Sequence, residues 1–308
     1  MAKLDLDVLP IPARLRDKEP PRLDKPYLWR DFTLFALVHI LPLGALFTGT
    51  KWQDWAVCVG LYWLRMFAVT GGYHRYFSHR TFKTGRVFQF LLAFLAETSS
   101  QKGALWWAAH HRKHHKYSDT PWDAHSPIRH GFWHSHVLWV YYPDNDPTDY
   151  KQVRDLARYP ELVWLNEHWM VPVIVLGALI LLTMGWSGFF IAFALSTVLL
   201  WHGTFTINSL SHVYGSRRFA TTDTSRNNWL LALITMGEGW HNNHHHYMLS
   251  TRQGFRWYEI DLTFYILKVM SWFHLVWDLR EPPAELMRAS APAAKAADEP
   301  APEVVAAP

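Results

Sequence analysis

Four apolar runs limit what this chain of 308 residues can fold into more than any other feature. They span residues 32–49, 55–70, 170–186 and 189–208, and a Gly-Trp-Ser-Gly turn signal joins the last two. A bilayer core about 30 Å thick needs about 20 mostly apolar residues in a helix. Since the mean hydropathy of the whole chain is only −0.09, a sizeable aqueous part must accompany the runs. The sequence therefore predicts a membrane protein with four spans.

The charges beside the runs predict the orientation of the chain. Lys and Arg are common before the first run, in the loop 74–168 and after the fourth run, whereas the two short turns contain only Lys51. Loops rich in Lys and Arg stay on the cytoplasmic side. We therefore expect an integral membrane protein with both termini and the long loop in the cytoplasm.

The net charge, the single cysteine and the position of charged residues limit which partners and metal ligands are possible. A net charge of +4 fits a basic face against membrane lipid, and because no nucleic-acid-binding motif is present we expect no nucleic acid partner. Cys58 is the single cysteine, so a metal site within one chain must use nitrogen and oxygen ligands. The apolar stretch 87–109 contains Glu97 and Lys102, which are costly inside a bilayer, and is predicted to be a helix at the membrane surface.

Three segments are expected along the chain. Residues 1–30 lack an apolar core and are interpreted as a cytoplasmic N-terminal segment rather than a secretory signal. Residues 31–280 are expected to form one membrane domain. Residues 281–308 are mostly Ala, Pro and Glu, which bury too little surface to offset the entropy of ordering, and are predicted to be a disordered tail.

Eight of the 19 histidines fall into three tight groups near predicted helix ends, which are His74 and His79, then His111, His114 and His115, then His241, His244 and His245. Residues three and four apart share a helix face, so each H-x-x-H-H group is expected to point three imidazoles at one centre. The five-residue spacing of the first group fits the end of a helix. So many nitrogens exceed one coordination sphere and predict two neighbouring metal ions, and imidazole suits zinc, copper, iron or nickel.

The order and spacing of these groups resemble the membrane fatty acyl desaturases of the stearoyl-CoA Δ9 type, in their bacterial form. The similarity runs over residues 25–280 and includes the segments 71–75, 131–137, 208–212 and 237–241. It implies an all-α membrane protein in which four transmembrane helices carry a cytoplasmic helical cap with a histidine-rich di-metal site. It also implies two iron ions as the cofactor, His212 as a ninth ligand, Asn208 bridged to a metal by water, and a bacterial inner membrane as the location.

The resemblance further implies an oxidoreductase of unsaturated fatty acid biosynthesis that uses O2 to desaturate a saturated fatty acyl chain, at Δ9. The chain would lie in a narrow bent tunnel lined by Gln101, Trp107 and Thr204. Removing hydrogens from an unactivated methylene pair needs a strong oxidant, which redox-inert zinc cannot form. Because the chain is too short to include a haem or flavin domain, a separate donor, such as ferredoxin or a cytochrome b5-like protein with its reductase, must supply electrons.

Two departures from the animal acyl-CoA enzymes leave the acyl carrier open. Positions that are basic and contact the CoA there correspond here to residues 109–110, Ala-His, and to residues 143–144, Pro-Asp. Acyl-CoA, acyl-lipid and acyl-carrier protein therefore all stay as candidate substrates. Chain length, the exact position of the double bond and the oligomeric state are equally open.

Alternatives remain for the function and for several polar residues. The rival functions are a related di-iron hydroxylase of alkanes or lipids and, from another class, a non-catalytic metal-binding membrane protein. A docking face for an electron carrier at Arg112, Lys113 and Lys116 is weighed against an ordinary solvated surface. His110 and His246 could orient the ligands beside them. A plain structural turn is expected for residues 123–126.

Overall fold

The computed structural model describes residues 23–288, which are mostly helical. The α-helices of this part are α1 (Trp29–Ile40), α2 (Ala45–Thr48), α3 (Trp52–Phe67), α4 (Arg86–Glu97), α5 (Ala104–Tyr117), α6 (Pro127–His130), α7 (Phe132–His136), α8 (Arg154–Ala157), α9 (Pro160–Glu167), α10 (Met170–Gly188), α11 (Ser196–Ser209), α12 (Trp229–Ile234), α13 (His241–His246), α14 (Leu262–Trp272) and α15 (Ala284–Arg288). Two π-helical segments, Ala68–Ser78 and Phe189–Leu195, extend α3 and connect α10 to α11. The two-residue strands β1 (Lys83–Thr84) and β2 (Val276–Trp277) pair antiparallel.

Two helical segments of the described chain, Trp29–Thr48 and Met170–Ser209, are long and apolar enough to cross a membrane. The second is a hairpin rather than one straight rod, because Gly185 has a non-helical φ of +71°. A Cβ atom at Gly177 would lie 3.3 Å from the ring of Phe193, on the far side of Gly185. Sixteen residues of straight helix would separate those positions by about 24 Å. The chain therefore reverses at the turn that the sequence indicated.

Helix α3 packs closely against α11. Gly203 makes this possible, since a Cβ atom there would lie 2.9 Å from the hydroxyl of Tyr62 and 3.0 Å from the terminal methyl of Met66. Taken together, the helix bounds given above cover all four of the predicted apolar runs. The count of four membrane crossings stays a prediction.

The stretch 87–109 is two helices rather than one. Helix α4 ends at Glu97, and α5 begins at Ala104 after a loop in which Ser100 and Lys102 have positive φ angles. The buried carboxyl group of Glu97 accepts a hydrogen bond from the backbone nitrogen of Ala104 at 3.0 Å and so caps α5. The polar residues that made a span unfavourable thus form a turn between two helices.

A buried arginine holds that loop against the membrane helices. Arg65 of α3 is completely buried and donates hydrogen bonds to Thr197 at 2.8 Å, to Ser196 at 2.5 Å and to the carbonyl of Thr98 at 3.3 Å. It therefore ties α3, α11 and the loop 98–103 together.

The predicted end segments lie largely outside the described residues. Of the segment 1–30 the structure describes residues 23–30, and of the tail 281–308 it describes residues 281–288, which include α15. The prediction of disorder for residues 289–308 lies outside the described residues.

Candidate metal centre

Nine histidine side chains converge in two adjacent groups. Cluster A consists of His74, His79, His111, His115 and His244, and cluster B of His114, His212, His241 and His245. Within each cluster the ligand atoms all lie within 4.8 Å of one another. The structure thus brings together every histidine that the sequence and the resemblance singled out as a ligand.

The geometry of the first pair depends on the π-helical segment Ala68–Ser78. In a π-helix the hydrogen bonds join residues five apart. The backbone nitrogen of His79 donates to the carbonyl of His74 at 3.2 Å in this way. Their ring centroids lie 4.8 Å apart, so a spacing that is awkward on an α-helix brings both rings to one centre.

Each H-x-x-H-H group divides its rings between the two clusters, so the expectation of three imidazoles at one centre is wrong. On α5, His111 and His115 belong to cluster A and His114 to cluster B. Each α-helical residue is turned by about 100° from the one before it, so residues four apart nearly align whereas adjacent residues diverge. The same division, with the clusters exchanged, applies on α13, where His241 and His245 belong to cluster B and His244 to cluster A.

The spacing of the ring nitrogens suits metal binding. The Nε2 atoms of His79 and His111 lie 2.9 Å apart, and those of His212 and His241 lie 3.1 Å apart. Two nitrogens bound at about 2.1 Å, with a right angle at the ion, would be about 3.0 Å apart. The buried Nε2 atom of His245 has no hydrogen-bond partner among the described residues. Such an atom is accounted for if it ligates an ion.

Burial keeps many of these rings neutral, as metal ligation requires. Loss of solvent, followed by repulsion from neighbouring imidazoles, lowers the pKa of each of the following five ligands well below its ordinary value: His79, His111, His115, His241 and His244. Their lone pairs are therefore free for metal ions at neutral pH.

Four carboxylates fix the orientation of four ligand rings by accepting a hydrogen bond at Nδ1. The pairs and their distances are His74 with Glu238 at 2.5 Å, His114 with Asp123 at 3.0 Å, His212 with Asp119 at 2.9 Å and His245 with Asp223 at 2.6 Å. A ring whose Nδ1 is held in this way presents Nε2 to the ion, and the carboxylate makes it a stronger ligand.

The ionisation of these carboxyl groups matches that role. Burial acts to raise the pKa of Asp119, but the charge and hydrogen bond of His212 hold it below its usual value. The same opposition, with His114 as the partner, lowers the pKa of Asp123. Both carboxyl groups are therefore ionised acceptors at neutral pH.

Sequence reasoning missed these carboxylates as parts of the site. Asp123 was expected to belong to a plain turn, and its hydrogen bonds to His114 show that it orients a ligand instead. Asp119 and Asp123 follow the second histidine group closely, and Glu238 lies in a segment that carried the resemblance. Asp223 lies in a loop, and no local pattern points to it.

A cavity of about 510 Å³ lies beside the clusters. Its lining includes Gln101, Trp107, Thr204 and Asn208, which are the predicted tunnel residues and the predicted water-bridged residue. The side-chain nitrogen of Gln101 donates to the hydroxyl of Thr204 at 3.1 Å. Trp107 stacks on the ring of His111, with centroids 4.9 Å apart. The cavity wall is thus continuous with cluster A.

A second, smaller pocket lies against both histidine clusters. Trp107, Thr204 and Asn208 line it as well as the large cavity, and its other lining residues include Met66, Val69 and Ile207. A long unbranched apolar ligand that fills both spaces would pass the histidine clusters partway along its length.

The other residues weighed from the sequence make contacts outside the two clusters. His110 bonds the carbonyl of Trp106 at 2.9 Å, and His246 stacks on Phe219 with centroids 4.1 Å apart. Arg112 donates to the carbonyls of residues 77, 78 and 152 and to Asp155, and these bonds occupy its guanidinium group. It is therefore committed to structure rather than to an open docking face.

Comparison with known proteins identifies the family. Residues 50–275 match the fatty acid desaturase family. The chain belongs to the fatty acid desaturase family. The desaturase is 35% identical to the sn-2 palmitoyl-lipid 9-desaturase of Nostoc sp. (strain 36), over 82% of its own length and 90% of the relative's. It is 34% identical to the sn-1 stearoyl-lipid 9-desaturase of Anabaena variabilis, over 79% and 90% of the two chains.

Another relative differs in the acyl carrier and in the position of the double bond. The desaturase is 31% identical to an acyl-CoA 5-desaturase of Anemone leveillei, over 91% of its own length and 92% of the relative's. The relatives are thus all fatty acyl desaturases, but they differ in what carries the chain and where the double bond is placed. The present protein is accordingly an oxidoreductase of lipid metabolism that desaturates fatty acyl chains.

Proposed function

We propose that the desaturase introduces a double bond at Δ9 into a saturated fatty acyl chain, with O2 as the oxidant and two iron ions held by clusters A and B. The observation that carries the proposal is the position of the nine histidines in two adjacent clusters beside two pockets that share lining residues. The Δ9 position is supported by the two cyanobacterial relatives named above.

The donor set fits two iron ions. All nine donors are imidazole nitrogens, which bind iron well, and the smaller set of four in cluster B has Asn208 on the same cavity wall to hold a water. Iron bound here would supply, with O2, the oxidising power for removing hydrogen from unactivated methylene groups. The carboxylates on His74, His114, His212 and His245 keep those ligands oriented.

The remaining residues of the site position the chain and exclude water. The cavity walls are mostly apolar, and the aromatic ring of Trp107 holds the chain beside cluster A. The hydrogen bond from Gln101 to Thr204 crosses between the loop 98–103 and α11. Because these contacts fix the wall of the cavity beside cluster A, they would place one pair of methylene groups beside the metals.

The same proposal includes the topology. The runs 32–49, 55–70, 170–186 and 189–208 would cross a bacterial inner membrane, with the histidine clusters and both termini in the cytoplasm. The hairpin turn at Gly185 and the distribution of Lys and Arg support this arrangement. A separate carrier, such as ferredoxin or a cytochrome b5-like protein with its reductase, would deliver electrons to the cytoplasmic side.

The decisive experiment is mass spectrometry of derivatised total fatty acids from aerobic cells that express the wild type or the His244→Ala variant. We expect a new alkene at carbon 9 in the wild type and none in the variant. A hydroxylated product without an alkene would favour the related di-iron hydroxylase. Metal uptake with neither product nor O2 consumption, in the presence of an electron donor, would favour a non-catalytic metal-binding protein.

A further inference from the structure

One wall of the large cavity is formed by α1. Its lining residues come from α1 (Leu34, Phe35, Val38), from α11 (Trp201) and from the start of α10 (Trp169, Met170). The rings of Phe35 and Trp201 stack with centroids 5.0 Å apart. The cavity thus lies between helices whose outer surfaces are apolar, so α1 separates it from the surrounding bilayer.

Helix α1 is less buried than its neighbour α11. None of its twelve residues is buried, whereas half of the 14 residues of α11 are. Leu34, Leu37 and Ile40 are between 51% and 58% exposed. The inner residues of α1, Phe32, Phe35 and Val38, pack against one small buried cluster of Val137, Trp201 and Phe205, so opening α1 means separating this cluster.

A row of three histidines, named here the histidine latch, ties α1 to α11. The Nε2 atoms of His39 and His202 lie 2.9 Å apart, and Nδ1 of His202 lies 3.0 Å from Nε2 of His136. The row ends at the hydroxyl of Ser209, 2.9 Å from Nδ1 of His136. A neutral imidazole ring has one N–H that donates and one ring nitrogen that accepts. Three neutral rings can therefore give each contact in this row one donor and one acceptor. Hydrogen bonds between membrane helices are weak enough to open and close.

The cytoplasmic start of α1 has a second attachment. The backbone nitrogen of Leu28 donates to the carbonyl of Tyr141 at 2.8 Å, and Tyr141 itself lines the cavity. Apart from these two attachments, α1 makes no hydrogen bond from its own residues to another element of the described chain.

The far end of the same span is fixed. Beyond α1 the chain makes a 3-10 turn, Leu41–Gly44, that contains Pro42. A Cβ atom at Gly44 would lie 2.5 Å from the ring of Phe190, so the backbone approaches the second hairpin leg closely there. A helix break beside a tightly packed point is a suitable pivot for the half of the span that precedes it.

The charged groups that line the cavity are balanced. Arg30 bonds Asp31 at 3.1 Å, and Lys102 bonds Asp146 at 2.6 Å. A carrier with several phosphates would find no surplus of positive charge among these four lining residues. A lipid headgroup that remains at the membrane surface needs none.

We infer that α1 is a lateral gate, closed by the histidine latch and pivoting at residues 41–44, that admits the acyl chain of a membrane lipid from the bilayer into the cavity. The inference rests on the proposed function, since it takes the cavity to be the acyl site. It goes further in naming the route and the carrier of the substrate.

A disulfide across the start of α1 tests the gate. In a Cys58→Ala background, Leu28→Cys and Tyr141→Cys place thiols on hydrogen-bonded backbones, within the range that a disulfide spans. The matched control is Lys83→Cys with Trp277→Cys, a cross-strand pair of β1 and β2 that does not line the cavity. Exchange of spin-labelled phosphatidylcholine between liposome and protein is followed by electron paramagnetic resonance, together with desaturation.

We expect oxidation of the Leu28–Tyr141 pair to slow lipid exchange and desaturation by about tenfold or more, reversibly, and to leave the control pair unchanged. Equal exchange in the oxidised and reduced forms would refute the gate. Gated exchange without any new alkene from the Cys58→Ala parent would refute the proposed function and leave the gate standing.

A second variant tests the latch without a cross-link. His202→Leu removes both ring contacts of the central histidine and should speed lipid exchange several-fold. His168→Leu, on an exposed ring that stacks on Trp164 at the end of its own helix, is the matched control and should exchange at the wild-type rate. An unchanged or slower rate in His202→Leu would contradict the latch.

Discussion

His114 and His115 are consecutive residues of one helix, with ring centroids 5.5 Å apart, yet they belong to different histidine clusters. His114 turns toward His212 and His245, while His115 turns toward His111 and His244. One helix therefore contributes to both candidate metal ions at once, which fixes the distance between them through a rigid backbone.

This division predicts different iron contents for two double variants. Replacing His111 and His115 by Ala removes two ligands of cluster A alone and should leave about one iron per chain. Replacing His114 and His115 damages both clusters and should leave almost none. Metal analysis of purified protein by mass spectrometry measures the difference. Equal iron in the two variants would mean that the helix does not divide its ligands as described.

The carboxylates behind the ligands should control metal retention. Asp119→Asn keeps the size of the side chain but removes the charge that the ring of His212 faces at 2.9 Å. Loss of such a partner weakens a metal site by about 10- to 100-fold. We expect faster loss of one iron to a chelator and a matching fall in activity. Asp278→Asn, on an exposed carboxylate paired with Lys83, is the control, and equal rates in both variants would contradict the role of Asp119.

Much of the fold and of the ligand set could be predicted from the sequence. The helical hairpin follows from two apolar runs with a glycine-rich turn between them. The ligands follow from the spacing of the histidine groups and from the resemblance, which added His212. These features depend on neighbours in sequence, where helical geometry is local and regular.

The features that could not be predicted depend on contacts distant in sequence or on irregular backbone. Asp119 forms a hydrogen bond with His212, 93 residues away in sequence, and no local pattern predicts such a pair. The π spacing of Ala68–Ser78 alters which residues share a face. The break between α4 and α5 comes from positive φ angles at Ser100 and Lys102, neither of which is a glycine.

The hydrogen bond between Gln101 and Thr204 should affect where the double bond is placed. Thr204→Val keeps the shape of the side chain but leaves the Gln101 amide without this acceptor, which loosens the wall beside cluster A. We expect a fall in kcat/KM of about tenfold and a mixture of double-bond positions. Thr206→Val, on the same helix but bonded only to a carbonyl of its own turn and outside the cavity lining, is the control. A single unchanged product from Thr204→Val would show that other contacts set the position.

Glu97 should make the stability of the protein fall as pH rises. Its carboxyl is fully buried, and this burial raises its pKa from 4.5 to about 9, while the hydrogen bond from Ala104 opposes the shift. Between these two values the folded chain holds a proton that the unfolded chain releases, so the free energy of unfolding decreases with pH, by about 1.4 kcal/mol per unit.

Glu97→Gln keeps the acceptor for Ala104 and has no proton to lose. Thermal unfolding at pH 7 and pH 9 should therefore show a smaller loss in Glu97→Gln than in the wild type. Glu161→Gln, on an exposed pair with Arg86, should lose as much as the wild type, and parallel behaviour of all three proteins would show that the Glu97 carboxyl is already ionised in the folded chain.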